Sequence, residues 1–274
     1  MLEEYRREYV DFCEASNREY YLHLSGQKPN LEIAPIYERY GDLFNLDSIA
    51  RLKQGLDELP EHFETDRRAL KHLLLFAVEQ FLADAAKRLT EEISRFEAAA
   101  NVEWMGRRMT FQDSVVAVIT EPDRESRKAI YKRRLDVIDS SNDLRVERLS
   151  RFHSSARTLG HASYLALYEE LSGIDYRKIA REGESLLEKT ESPYVACLDQ
   201  ELKRQLRIPL DEAERSDALR LLHLTRYDDH FPPHKLLSVY RETMAGMGID
   251  IYAQKNIEID SHPRPRKSSR AFCM

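Results

Sequence analysis

Residues 65–99 contain neither glycine nor proline, and their apolar side chains fall at spacings close to a helical turn. Leu70, Leu73, Leu74, Phe81, Leu82, Ala85, Leu89, Ile93 and Phe96 keep that period, which predicts one long helix with an inward face. Short, punctuated helices are expected before it. Tyr5, Tyr9, Phe12 and Cys13 share one face of a helix reaching about Leu24, which Gly26 and Pro29 end. Pro35 suits a first helical turn, and Asp47 is a candidate cap for a helix with Ile49, Leu52, Leu56 and Leu59 inward, stopped by Pro60.

Beyond the long helix, NVEWMGRRMTFQ predicts a brief extended stretch turning at Gly106, and Thr110 with Asp113 reads as a capping box. A second long helix is expected over 122–160, with Ile130, Tyr131, Leu135, Ile138, Leu144, Leu149 and Phe152 inward. Gly160, Gly173 and Pro193 divide the next part into shorter helices. YDDHFPPHK reads as a polar loop, 236–244 as a helix, and IDIYAQKNIEID alternates as a strand. The expected fold is all-α with two long helices and a small β element near the C-terminus. Three regions follow: a helical lobe over 1–105, a second helical region over 106–247, and the start of a further region, with strand and basic loop, over 248–274.

Composition narrows the function classes. With 42% hydrophobic and 33% charged residues and only 9 glycines, the 274-residue chain reads as soluble and globular. A net charge of -6 argues against nucleic acid as a partner, because displacing phosphate counterions takes an excess of basic charge. The longest apolar run, residues 73–78, is far shorter than the roughly 20 residues that span a bilayer, so no membrane partner is expected. Cys13, Cys197 and Cys273 form no C-x-x-C pair, and the acidic, amphipathic N-terminus lacks the features of a secretory signal. A cytoplasmic location fits these features.

Chemistry-bearing motifs are few. His223, His230 and His234 surround Asp228 and Asp229, and the last two histidines have i, i+4 spacing. Pro232 and Pro233 interrupt any helix between them, which favours a polar loop over a metal site. There is no H-E-x-x-H, no G-x-S-x-G elbow and no glycine-rich phosphate loop. The basic run of His262, Arg264, Arg266, Lys267 and Arg270 has two leading readings. It is an exposed loop, or a cleft wall whose cations bind a substrate carboxylate or backbone carbonyl; phosphate or nucleic-acid contact is a weaker third.

The stretch MGIDIYAQKNIEIDSHPRPRKSSRAFC resembles a segment of oligoendopeptidase F and thimet-oligopeptidase-like zinc metallopeptidases that reads D-x-Y-x-R-x-x-K-x-x-G-A-[FY]. Asp250, Tyr252, Lys267, Ala271 and Phe272 stand in the comparable places. Upstream, Asp123, Arg124 and Arg127 are similar to that family's D-R-x-x-R helix, and Gly160, Ser163 and Tyr164 to its G-x-x-S-Y element. The insertion IEIDSHPRP and Arg270 in place of a glycine depart from the pattern. The resemblance implies a mainly helical shell around a channel for short peptides. It also implies zinc in the complete protein, with the zinc ligands and general-base Glu beyond Met274. No catalytic or metal residue therefore falls on this chain, which is expected to be inactive alone.

On this reading the chain, ending in apolar Ala271, Phe272 and Cys273, is the front portion of a longer protein. Lys267 and Arg270 would lie near the floor of the cleft. Tyr227 and Asp228 would line its approach, or else form a helix-terminus loop. The alternative is a non-catalytic helical module that binds peptides or proteins. A homodimer through an exposed apolar face is a further expectation.

Overall fold

A computed structural model describes residues 2–255, 257–264, 266–268 and 271–273. The chain forms α1 (Leu2–Leu24), α2 (Ala34–Arg39), α3 (Leu46–Glu58) and α4 (Glu64–Ala99), then strands β1 (Asn101–Trp104) and β2 (Arg107–Thr110). There follow α5 (Phe111–Thr120), α6 (Arg124–Asp139), α7 (Asn142–Thr158), α8 (Tyr164–Ser172), α9 (Tyr176–Leu206), α10 (Arg215–His223) and α11 (Leu236–Gly246). The fold is mainly all-α, with one small antiparallel sheet among the described residues. Among the described residues no helix is long and apolar enough to cross a membrane.

The glycine- and proline-free run is the 36-residue α4, and it is the spine of the molecule. Its Leu73, Leu74, Ala77, Val78 and Leu82 share one buried core with Phe12, Leu43, Phe44, Leu52, Ala156 and Leu167. That core draws on α1, α3, α7 and α8. It joins α4 to α7 and α8 across residue 105, where the first two expected regions meet. Local signals set several ends. Asn45, two residues before the expected Asp47, caps α3 by accepting from the Ser48 amide at 2.8 Å. Thr110 caps α5, accepting from the Asp113 amide at 3.0 Å while its hydroxyl donates to that carboxylate at 2.7 Å.

Three expectations need correction. The extended stretch expected to turn at Gly106 forms the hairpin, paired Asn101 to Thr110 through Trp104 to Arg107, whereas the β element expected near the C-terminus does not form among the described residues. No strand forms in IDIYAQKNIEID among the described residues. There the Asp250 carboxylate accepts the amides of Tyr252 at 2.9 Å and Ala253 at 3.3 Å, a side-chain turn that competes with extended pairing.

The second long helix is two helices. Ser140 and Ser141 hydroxyls donate back to the carbonyls of Val137 at 2.8 Å and Ile138 at 2.9 Å, and the chain turns there before α7. Apolar periodicity alone does not register that break. Conversely, α9 runs unbroken through Pro193. Residues 186–197 are all exposed, so water solvates the carbonyl that loses its amide partner.

The D-R-x-x-R residues tie α6 to α10. Asp123 caps α6 by accepting from the Ser126 amide at 2.8 Å. Arg127 is buried and donates to the fully buried Asp217 at 2.8 Å and to the Pro122 carbonyl at 2.8 Å. Arg124 reaches the other Asp217 oxygen at 3.3 Å, and the Glu214 amide donates there at 3.0 Å. Burial alone would raise the Asp217 pKa, but these donors outweigh it and hold the carboxyl below its ordinary value. The motif's work here is structural.

Candidate functional site

The site is built on α1. Phe12 sits edge-on among Tyr37, Tyr40, Phe44 and Phe76, with ring centroids 5.4 to 5.9 Å apart. Beside this packing a cavity of about 430 Å³ opens, within the usual range for small-ligand sites. Cys13, Ser16 and Tyr20 line it from α1, Glu79 and Gln80 from α4, and Phe152, Tyr164 and Tyr168 from α7 and α8. Gly160, in a left-handed turn at φ 86°, and Ser163, capping α8 through the Ala166 amide at 3.1 Å, set Tyr164 at the first turn of α8. Its ring lies 4.8 Å from that of Tyr168.

Polar groups in this half are sparse and specific. Tyr37 donates to Gln80 at 2.7 Å. The buried Ser16 hydroxyl has no hydrogen-bond partner among the described residues. Burial pushes the Glu79 carboxyl above its ordinary pKa, with the Tyr168 hydroxyl partly opposing the shift. Burial also raises the Cys13 thiol, so it stays protonated at neutral pH and is a poor nucleophile.

A second cavity, of about 280 Å³, adjoins the first at Tyr20, which lines both. Its character is basic: Lys28, Arg145, Arg148 and Arg266 border it, with His23 and Ser94. His23 Nε2 and Ser94 Oγ share a hydrogen bond of 2.8 Å. Burial pushes the His23 pKa down, so the ring is neutral at pH 7. Two cations are already matched, Lys28 by Glu19 at 2.8 Å and Glu32 at 2.7 Å, and Arg145 by Glu97 at 2.6 Å. Among the described residues, neither Arg148 nor Arg266 meets a carboxylate.

The basic tail reaches this cavity by folding back on the end of α1. The Ser268 amide donates to the Leu24 carbonyl at 2.8 Å, and Phe272 lies edge-on to Tyr21 at 6.5 Å. Asp260 organises the fold. Its carboxylate takes Arg264 at 2.5 Å, Lys267 at 3.0 Å and the Tyr21 hydroxyl at 3.4 Å. The Arg264 and Lys267 bonds hold it well below the usual carboxylate range.

The structure therefore separates the four residues expected from the sequence. Lys267 is engaged by Asp260 and by the His262 carbonyl at 2.8 Å. Arg270 lies outside the described residues. Tyr227 and Asp228 belong to an exposed 3₁₀ turn, Thr225–His230, where His223 Nε2 is 3.7 Å from Asp228 and the Tyr227 ring is 6.4 Å from that of His230. Arg266 and Ser268 are the described tail residues that border the cavity.

Sequence reasoning missed His23, Glu79, Arg148 and Tyr168. Arg145 and Arg148 at i, i+3 and Tyr164 and Tyr168 at i, i+4 carry a helical-face signal, but only the tertiary fold aims both pairs at α1. Comparison with protein-family profiles, with curated proteins and with solved structures found no match to this chain.

Proposed function

We propose that this chain is a helical peptide-binding module whose site is the two-part trough along α1. The observation that carries the reading is the meeting, at Tyr20, of an aromatic cavity and a basic cavity with two arginines that meet no carboxylate among the described residues. From Cys13 to His23, α1 rises about 15 Å, the span of an extended peptide of about five residues. Arg148 and Arg266 suit the free carboxylate of such a peptide, because guanidinium forks bind carboxylates with two donors.

Calorimetry with pentaalanine tests this directly. The free acid is expected to bind saturably, with affinity falling about tenfold or more on amidation of its C-terminus or on Arg148→Glu. Equal binding of acid and amide would overturn the carboxylate assignment.

The resemblance to oligopeptidases extends the proposal. In a longer protein, zinc and a general-base Glu outside residues 1–274 would act on a peptide that this wall holds. The position of Tyr164, from the G-x-x-S-Y-like element, on the trough favours that extension. Among the described residues no group of three or more His, Cys, Asp or Glu side chains is placed to hold a metal. Cleavage of a quenched fluorescent peptide by a longer form, abolished by a zinc chelator, would support the metallopeptidase reading. Binding without cleavage would leave the module alone.

A further inference from the structure

The aromatic cavity has a charge pattern that selects a ligand class. Glu79 is the single charged side chain lining it among the described residues; no lysine, arginine or histidine borders it. Nor does Glu79 form an ion pair among those residues. Around it stand the rings of Tyr20, Phe152, Tyr164 and Tyr168, whose faces carry negative quadrupole charge. A half-buried carboxylate without a cation, set among aromatic rings, disfavours an anion. A neutral aliphatic group would leave that carboxylate with the Tyr168 hydroxyl for a donor but with no counter-charge.

We propose that the aromatic half of the trough is a subsite for an organic ammonium group, with Glu79 as its counter-ion and the tyrosine and phenylalanine rings as its π walls. Cation–π attraction and a desolvated ion pair would act together there. The inference rests on the trough reading for its natural ligand, which supplies the ammonium either as a peptide's amino terminus or as a lysine side chain. With the arginines at the other end, a bound peptide then lies with its carboxylate toward Arg148 and its ammonium toward Glu79.

The test separates the subsite from the peptide proposal by using a probe that is not a peptide. Phenyltrimethylammonium and its neutral isostere tert-butylbenzene are titrated against the full chain by NMR. The cation is expected to bind at least about tenfold more tightly than the isostere and to perturb the Tyr164 and Tyr168 rings. Glu79→Gln, which keeps the side chain's shape, is expected to remove that preference and leave the isostere unaffected.

Equal binding of the two probes, or an unchanged preference in Glu79→Gln with its circular dichroism intact, would overturn the subsite. Because the probe comparison uses the unaltered protein, it stands even if Glu79→Gln fails to fold. Peptide arms then identify the source. Loss of pentaalanine affinity on acetylation assigns the amino terminus, and a gain from an internal lysine in the acetylated peptide assigns the side chain. Failure of every peptide with retained phenyltrimethylammonium binding would sink the peptide reading and keep the subsite.

Discussion

α4 and α9 are the two longest helices among the described residues, 36 and 31 residues, and water meets them differently. Seven side chains of α4 are buried, from Leu73 to Ile93, whereas α9 buries Leu202 alone. Yet α9 also carries an apolar stripe. Ile179, Leu186, Leu187 and Tyr194 recur at seven or eight residues, as one helical face requires, and all are exposed. α11 continues the contrast, with Leu236, Val239 and Tyr240 exposed and no buried side chain.

The difference teaches that periodicity records which face of a helix is apolar, not whether the described fold covers it. α4 is held by packing. Ion pairs such as Lys178 with Glu182 and Lys203 with Asp199 support α9 along its length, each worth a few tenths of a kcal/mol. At its C-terminal end, Leu202 and Ile208 dock it.

The strongest way to break the contrast is to cut the buried ion pair that ties α6 to α10. Arg127 and Asp217 are both buried, and Arg127→Ala would take the nearer guanidinium from a buried carboxylate, leaving it Arg124 and the Glu214 amide. The expected loss is about 3–5 kcal/mol in urea unfolding, with α10 among the first segments to exchange its amides. The pH dependence gives an independent check. The folded Asp217 carboxyl titrates below its unfolded value, so its stabilisation is complete above the unfolded pKa, about 3.9, and is lost as pH falls through the folded value. Arg127→Ala should flatten that acid-side slope, with Arg124 and the Glu214 amide keeping part of it. An unchanged slope would show that the pair is not a source of it.

A core truncation comes next. Leu82 is buried in α4, and Leu82→Ala is expected to destabilise by about 2–5 kcal/mol, from lost transfer energy and the cavity left behind. A loss below about 1 kcal/mol would mean that α4 is not the packed spine of the native state. Ser163→Ala should cost less, about 1 kcal/mol, because it removes one cap. It should also loosen Tyr164 and weaken phenyltrimethylammonium binding more than pentaalanine binding. Equal weakening of both would show that the cap supports the trough as a whole.

These residues also mark what could be read before the fold was known. α4 and the Thr110 cap follow from glycine and proline placement, periodicity and one side-chain motif, all local in sequence. The break at Ser140 and Ser141 was hidden because two side-chain hydrogen bonds decide it within an otherwise helical pattern. The two cavities were hidden for another reason. Tyr20, Glu79, Arg148 and Arg266 are separated by tens of residues, and each has an ordinary local context. Of the basic tail, the charge was legible but its division was not. Asp260, within the same segment, engages Arg264 and Lys267, while Arg266 borders the cavity.

The smallest effect expected is on the exposed stripe, and it is the sharpest test of the contrast. Leu186 and Leu187 are 61% and 69% exposed, so truncating either to alanine removes little buried surface and leaves no cavity. Alanine is also the better helix former. Stability should move by no more than about 0.5 kcal/mol in either direction. Chemical denaturation at two protein concentrations, alongside sedimentation, decides the matter. A loss above 1 kcal/mol that grows with protein concentration would mean that a second copy covers the stripe in solution, because only association couples stability to concentration. A concentration-independent loss would instead place Leu186 and Leu187 in an intramolecular contact, and the distinction drawn here between α4 and α9 would fall.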